Sequence, residues 1–295
     1  MSKRRTENLG FGAPPRDLLT QLDQARVLRR IDLAELISTF RHEWRLAERA
    51  KVDVLLDWLL EHTRLRELSI HSELRGSATR YVWGEASPLQ IAASLAPSGY
   101  FCHSSAASIH GLLTYNPETI YINREQSAKP TPDGPIMQEG VDRAFAKKQR
   151  MTQDVYSWNT GRAAILNGKY SGRLGVERRA LEDSRFEFDV AGIERTLVDL
   201  TVRPDYAGGP GQVLEAFRRA QGTVSTMRLL EVLDGLSYRY PYHQAMGFYM
   251  QRAGYGDVDL TLLRAKGISL DFYVGYGIGE RDFNADWRVH FPKHL

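Results

Sequence analysis

The feature that most constrains this chain is a change of hydrophobic period after His62. Between Leu18 and Leu60 apolar residues recur at three- and four-residue intervals; between Leu65 and Trp83 the pattern turns β-like. Pro14-Pro15-Arg16-Asp17 reads as a helix start, with Leu18, Leu19, Leu22, Ala25 and Leu28 on one stripe. Asp32 is placed to cap a second helix that buries Leu33, Leu36, Ile37 and Phe40. A third helix is expected from about Glu43 or Ala47 to His62, with Val52, Leu55, Leu56, Leu59 and Leu60 facing inward. Leu65, Leu68 and Ile70 then lie in a strand ending at His71-Ser72. Glu73-Leu74-Arg75-Gly76-Ser77 supplies a turn, and Tyr81-Val82-Trp83 a returning strand.

Three helices followed by a hairpin is the element order of a winged helix-turn-helix. The expected organisation is therefore a flexible basic arm at residues 1–13, a winged helix at 14–86, and a larger mixed α/β domain at 87–295, an α+β fold overall. Ser87-Pro88 marks the boundary, with Ser87 as helix cap and Pro88 at the first helical position. Beyond it the sequence predicts helices near 88–96 and 104–112 and a strand at 119–123. Lys129-Pro130-Thr131-Pro132-Asp133-Gly134-Pro135 reads as an exposed loop. Strands are expected at 156–158, 163–166, 175–178 and 186–190. From Ile193 the pattern is mostly helical, with Ile193, Leu197, Val198 and Leu200 on one amphipathic face. Strands at 270–274 and 287–291 close the chain.

A winged helix places one helix in the major groove and its hairpin along the backbone or minor groove. Arginine suits both positions, pairing with guanine edges or neutralising phosphates. The third helix and its approach carry Arg41, Arg45, Arg49 and Lys51; the hairpin carries Arg75 and Arg80; the arm carries Lys3, Arg4 and Arg5. These are the candidate contacts to double-stranded DNA. The formal net charge is only +3, from 39 Lys and Arg against 36 Asp and Glu, so the total charge permits a nucleic-acid partner without requiring one. The alternative is a winged helix used for protein contacts, its arginines paired on the surface as Arg45 with Glu48 or Arg49 with Asp53.

Cys102 is the single cysteine, so no intramolecular disulfide can form, which suits a reducing cytosol. The N-terminus begins like a signal peptide, but Glu7, Gly10, Gly12, Pro14 and Pro15 follow in place of an apolar stretch. No apolar run approaches the roughly 20 residues that cross a bilayer. The expectation is a cytoplasmic protein without a membrane partner.

Signs of catalysis are weak. No nucleophile elbow, phosphate loop, zinc-ligand pair or dinucleotide fingerprint is present, so no enzyme activity, cofactor or metal is expected. His103-Ser104-Ser105 and His110 could suggest a Ser–His pair, but no acid stands at a spacing that would orient the histidine. A serine helix cap and a packed histidine account for them. Gly208-Gly209-Pro210-Gly211 before a helix suits a loop-to-helix joint, and Gly275, Gly277 and Gly279 a tight turn. Asp189, Glu194 and Asp199 cluster near a helix start, where the helix dipole accounts at least for Glu194. An enzyme would instead show a deep pocket with converging charges near Asp189, Glu194 and Arg195. The many aromatics after Tyr238 are expected in the core, with an exposed minority available to a protein partner.

Three later stretches carry a family resemblance. They are Gly99-Tyr100-Phe101-Cys102-His103-Ser104-Ser105-Ala106 running on to Ile109-His110-Gly111-Leu112; Ile193-Glu194-Arg195-Thr196-Leu197-Val198-Asp199-Leu200 with Gly208-Gly209 after it; and Asp271-Phe272-Tyr273 through Trp287-Arg288-Val289-His290-Phe291-Pro292-Lys293. In order and spacing, across residues 88–295, they resemble the AbiEi antitoxins of type IV toxin–antitoxin systems, which place a winged helix ahead of this domain. The resemblance implies a transcriptional autorepressor that binds repeats in its own promoter. It also implies an antitoxin that counteracts a nucleotidyltransferase-like toxin, often without a stable complex. Direct sequestration of a partner toxin is the alternative.

Overall fold

The computed structural model describes residues 15–47, 51–130, 134–180 and 186–295. Its helices and strands form two compact units: residues 1–97 with 154–164 and 180–188, and residues 98–153 with 165–179 and 189–295. Helices are interspersed with the strands of a mostly antiparallel sheet up to residue 191 and then run consecutively from Ile193 to Arg264, an α+β fold.

In the first unit, Leu18 and Leu22 stand one turn apart on α1 (Arg16–Ala25) and are fully buried. Strand β1 (Val27–Leu28) follows, where the leucine stripe suggested that Leu28 continued the helix. Arg26 at φ +57° ends α1 before it. Helix α2 (Arg30–Phe40) starts at Arg29, not at Asp32. Asp32 sits three positions in and reaches back to the Arg29 backbone N–H at 2.6 Å, closing the box from its far side.

The third helix also begins later than its periodicity suggests. Trp44 and Leu46 are buried, but the chain between Arg41 and Leu46 is a turn. Leu46 N–H bonds the Arg41 carbonyl at 3.0 Å and Arg45 N–H the His42 carbonyl at 3.1 Å, while Arg45 takes φ +51°. This double bond pattern around a left-handed residue is a Schellman stop, so the apolar spacing of Trp44 and Leu46 belongs to a helix end. Helix α3 runs Val52–His62, burying Leu55, Leu56, Trp58 and Leu59.

Strands β2 (Leu65–Ser72) and β3 (Gly76–Trp83) pair along their whole length, from Leu65 opposite Trp83 to Ser72 opposite Gly76. Strand β1 joins β3 antiparallel, Val27 opposite Val82. Helix α4 (Pro88–Ala93) has the expected cap, with Ser87 Oγ accepting from Gln90 N–H and the Gln90 side chain from Ser87 N–H at 2.8 Å. A division at residue 87 leaves out two later segments that belong to this unit. Strand β6 (Val155–Trp158) pairs with β2, His71 opposite Ser157, and turns into β7 (Gly161–Gly168).

The second unit contains β4 (Tyr100–Phe101), α5 (His103–Ile109), β5 (Thr119–Glu125) and α6 (Gln138–Phe145), the last of which the sequence pattern did not signal. With β8 (Val176–Ala180) and β9 (Glu187–Ala191) the strand order is β7-β5-β4-β9-β8. Phe101 is the hinge of this order, opposite Ile122 on the antiparallel side and Val190 on the parallel one.

Helix α7 (Ile193–Val202) is buried continuously from Arg195 to Val202, so it is a central helix and not the amphipathic one its apolar face suggests. Around it pack α8 (Pro210–Ala220), α9 (Thr226–Leu236), α10 (Tyr242–Ala253) and α11 (Asp257–Arg264). Gly208 and Gly209, at φ +86° and +100°, make the joint that turns a short 3-10 segment into α8. The terminal sheet has β10 (Phe272–Tyr273) parallel to β12 (Val289–Pro292), with β11 (Arg281–Asn284) antiparallel on its other side.

Candidate functional site

The candidate DNA contacts divide by the element that carries them. Lys51 is exposed at the N-terminal cap of α3, and Arg45 is exposed in the turn ahead of it. Arg41 is half-buried and donates to the Ala47 carbonyl at 2.7 Å. Arg49, Lys3, Arg4 and Arg5 lie outside the described residues. The exposed side of α3 is acidic from its first turn onward: Asp53, Asp57 and Glu61 follow one another at four-residue spacing. Among the described residues Asp53 pairs with Arg30, two guanidinium bonds at 2.9 and 3.0 Å.

In the hairpin, Arg75 at the turn is exposed and pairs with the buried Asp154 at 3.4 Å. Arg80 is half-buried. Its Nε donates to Ser94 Oγ at 2.9 Å, and Nη2 to the Ser94 carbonyl at 3.1 Å, which ties β3 to the end of α4. Burial lowers its pKa from the usual guanidinium range. Arg80 therefore holds the hairpin in place, a role its position in a hairpin could not reveal.

The second unit holds a cavity of about 790 Å³. One wall is a buried polar network built on Arg195 and Asp199, one turn apart on α7 with Nε to Oδ1 at 2.9 Å. The remaining Arg195 donors reach the Leu174 carbonyl at 2.6 Å, Ser171 Oγ at 3.2 Å and Tyr100 Oη at 3.0 Å. Tyr100 Oη also accepts from Asn123 Nδ2 at 2.7 Å and donates to Glu125 at 3.3 Å. Burial works against the Arg195 charge, but the Asp199 carboxylate outweighs it and holds the guanidinium above its usual range. Burial likewise pushes the Tyr100 hydroxyl up, so it stays protonated. Gly168 is required here. Its N–H bonds Asn123 Oδ1 at 2.8 Å, and a Cβ would stand 2.4 Å from the same oxygen.

His103 lines the same cavity. It is 8% exposed, takes φ +49°, and packs edge-on against Tyr206 at 4.9 Å. Burial pushes its pKa down to about 4, so the ring is neutral at physiological pH. Neither ring nitrogen has a hydrogen-bond partner among the described residues, and Nδ1 is sealed. The neighbouring serines do not cap the helix. The cap position is Cys102, and Ser105 Oγ accepts from Tyr121 N–H at 2.7 Å instead. His110 contacts the Ala191 carbonyl at 2.7 Å.

No family model matches this chain, and no curated protein does. Among solved structures, the Rv2827c protein from Mycobacterium tuberculosis has a similar fold. The likeness covers 96% of this chain and 94% of that one at a TM-score of 0.55 and 16% identity. The two proteins share a fold; at that identity the likeness reaches no further.

Of the carboxylates and arginine grouped in sequence, only Arg195 and Asp199 face the cavity. Asp189 is taken by Arg173 and Arg178 at 2.5 and 3.1 Å, and Glu194 accepts from Ser225 N–H at 3.1 Å. Sequence reasoning missed Arg150, Arg203 and the tyrosines Tyr206, Tyr238 and Tyr276, which line the cavity from separate elements. Two local signals existed: the basic run Lys147-Lys148-Gln149-Arg150, and the alternation Tyr238-Arg239-Tyr240. Among the described residues, no helix is long and apolar enough to cross a membrane, and no group of three or more His, Cys, Asp or Glu is placed to hold a metal.

Proposed function

We propose that the first unit is a winged helix that binds duplex DNA, and that the chain is a cytoplasmic, non-enzymatic autorepressor and antitoxin. The observation that carries the DNA reading is topological. The order α1-β1-α2-α3-β2-β3, with β1 laid on β3, is that of a winged helix, and β1 was invisible in the sequence pattern. On this reading α3 is the recognition helix and β2–β3 the wing. The charges on α3 favour insertion by its N-terminal end. Lys51 and Arg45 gather there, with the helix dipole adding positive potential and the first-turn Asp53 paired with Arg30, while Asp57 and Glu61 repel phosphate further along. Arg75 is the wing residue placed to reach the backbone, in competition with Asp154.

The antitoxin half rests on the resemblance of residues 88–295 to the AbiEi family, with a nucleotidyltransferase-like toxin as the functional partner. The test of the DNA half is titration of labelled upstream DNA at several salt concentrations. Sequence-preferring, salt-sensitive binding is expected. Lys51→Ala reduces the slope of log K against log salt by about 0.9 if that lysine neutralises one phosphate. Absence of salt-sensitive, sequence-preferring binding sinks the reading. The acidic stripe on α3 favours a second one, contact with a basic protein surface. Stable co-purification with the toxin, abolished by Asp57→Lys, would establish it.

A further inference from the structure

The cavity of the second unit has features that its neighbouring polar network does not use up. Arg203, at the C-terminal end of α7, is half-buried with its guanidinium over the Tyr276 ring at 5.4 Å. Among the described residues its guanidinium has no hydrogen bond, and no carboxylate lies within ion-pair distance of it. Arg150 lines the same cavity and is likewise without a partner. A guanidinium stacked on an aromatic face keeps its N–H edge available for an anion. Lys169 differs, because its Nζ already donates to the Leu236 and Ser237 carbonyls at 2.8 Å each.

The carboxylate in the lining, Asp199, is already paired with Arg195, so the unpaired charge facing the cavity is positive. Tyr206, Tyr238, Tyr242 and Tyr276 give it aromatic surface, with Met151, Leu166 and Val202 beside them. His103 adds a neutral imidazole with no partner, held in a left-handed backbone conformation that costs free energy and persists at sites where a side chain must be aimed. A cavity of about 790 Å³ falls in the size range of small-molecule sites.

The geometry points to a binding site in this cavity for a nucleoside monophosphate. Its phosphate is bound by Arg203 and Arg150, its base lies against the tyrosines, and His103 bonds a hydroxyl or a ring nitrogen. Each requirement excludes a class. Two unpaired guanidinium groups select a phosphate over a neutral ligand, and the aromatic lining selects a planar body over an inorganic ion. The site is independent of the DNA-binding reading, which concerns the other unit.

The experiment is calorimetric titration of the full chain with AMP, GMP, CMP and UMP, with adenosine and inorganic phosphate as separate arms. At least one monophosphate is expected to bind. Its parent nucleoside and phosphate alone should each be weaker by about tenfold or more, because each keeps only one of the two recognition elements. Arg203→Met and the exposed-site variant Arg150→Ala each weaken the monophosphate by about tenfold while leaving nucleoside binding unchanged. His103→Asn, which suits the left-handed backbone, alters the ranking among the four bases. No binding of any monophosphate at concentrations on the order of millimolar, by protein of unaltered melting temperature, overturns the proposal. So does equal binding by the parent and both arginine variants. Binding of inorganic phosphate as tightly as the nucleotide would show an anion site without a base site, and also overturns it.

Discussion

Arg80 in the first unit and Arg195 in the second both serve their own fold, but at different depths. Arg80 bridges a hairpin strand to the end of α4 with one side to solvent, bonding neutral Ser94. Arg195 is 4% exposed and spends its donors on Asp199, Tyr100, Ser171 and the Leu174 carbonyl. Water can replace what a half-exposed arginine loses. A buried one leaves its partners unsatisfied in a medium where a bare charge is costly. The first unit thus has a small apolar core with its described arginines exposed or half-buried, while the second is organised around an arginine kept inside beside a cavity.

The largest effect expected from this contrast is at Arg195. Arg195→Met strands the Asp199 carboxylate and unsatisfies Tyr100, and should destabilise the second unit by about 3–5 kcal/mol in urea unfolding. Arg80→Met, read the same way, should cost about 1 kcal/mol. Equal losses at the two sites would break the comparison.

Acid provides the intermediate effect. His103 has a folded pKa of about 4 against an ordinary 6.5, set by burial and reinforced by the Arg195 and Arg203 charges, with Asp199 opposing. The fold keeps the neutral ring, so as pH falls the unfolded chain takes up this proton first. Above pH 6.5 the term vanishes. Between 6.5 and 4 stability declines, by up to about 3 kcal/mol in total from this group. The difference in stability between the parent and His103→Asn, measured from pH 7.5 down to 4, isolates it. A constant difference across that range refutes the assignment.

The smallest effect lies in the turn before α3. Arg45 occupies the left-handed position of a helix stop at φ +51°, where glycine carries no steric penalty. Arg45→Gly should raise stability by about 1 kcal/mol and, on the proposed DNA reading, weaken DNA binding at the same time. Gain of stability with unchanged DNA affinity would assign Arg45 to the turn alone.

Much of the first unit was readable along the chain because its elements bury one face each. Leu18 and Leu22, Leu33 and Ile37, and the hairpin's return at Gly76 show this. The places where that reading failed share one cause. Val27–Leu28, the turn at Arg41–Leu46 and the cap at Arg29 are short segments whose state is set by backbone hydrogen bonds to partners that apolar spacing does not encode. In the second unit Arg195 and Asp199 were visible as residues four apart. Their burial was not, because a helix enclosed on all sides gives no polar face to read.

The sequence by itself determined the fold class, the helices with a clean apolar stripe, the Ser87 cap and the hairpin. These follow from side-chain period and local capping chemistry, which act within a few residues. Tertiary structure alone decided that Arg80 is a strut, that residues 154–158 return to the first unit, and that Arg150, Arg203 and His103 line one cavity. Those residues are brought together by burial over long stretches of chain, and hydrophobic burial is non-directional, so no local pattern records which side chains it will gather.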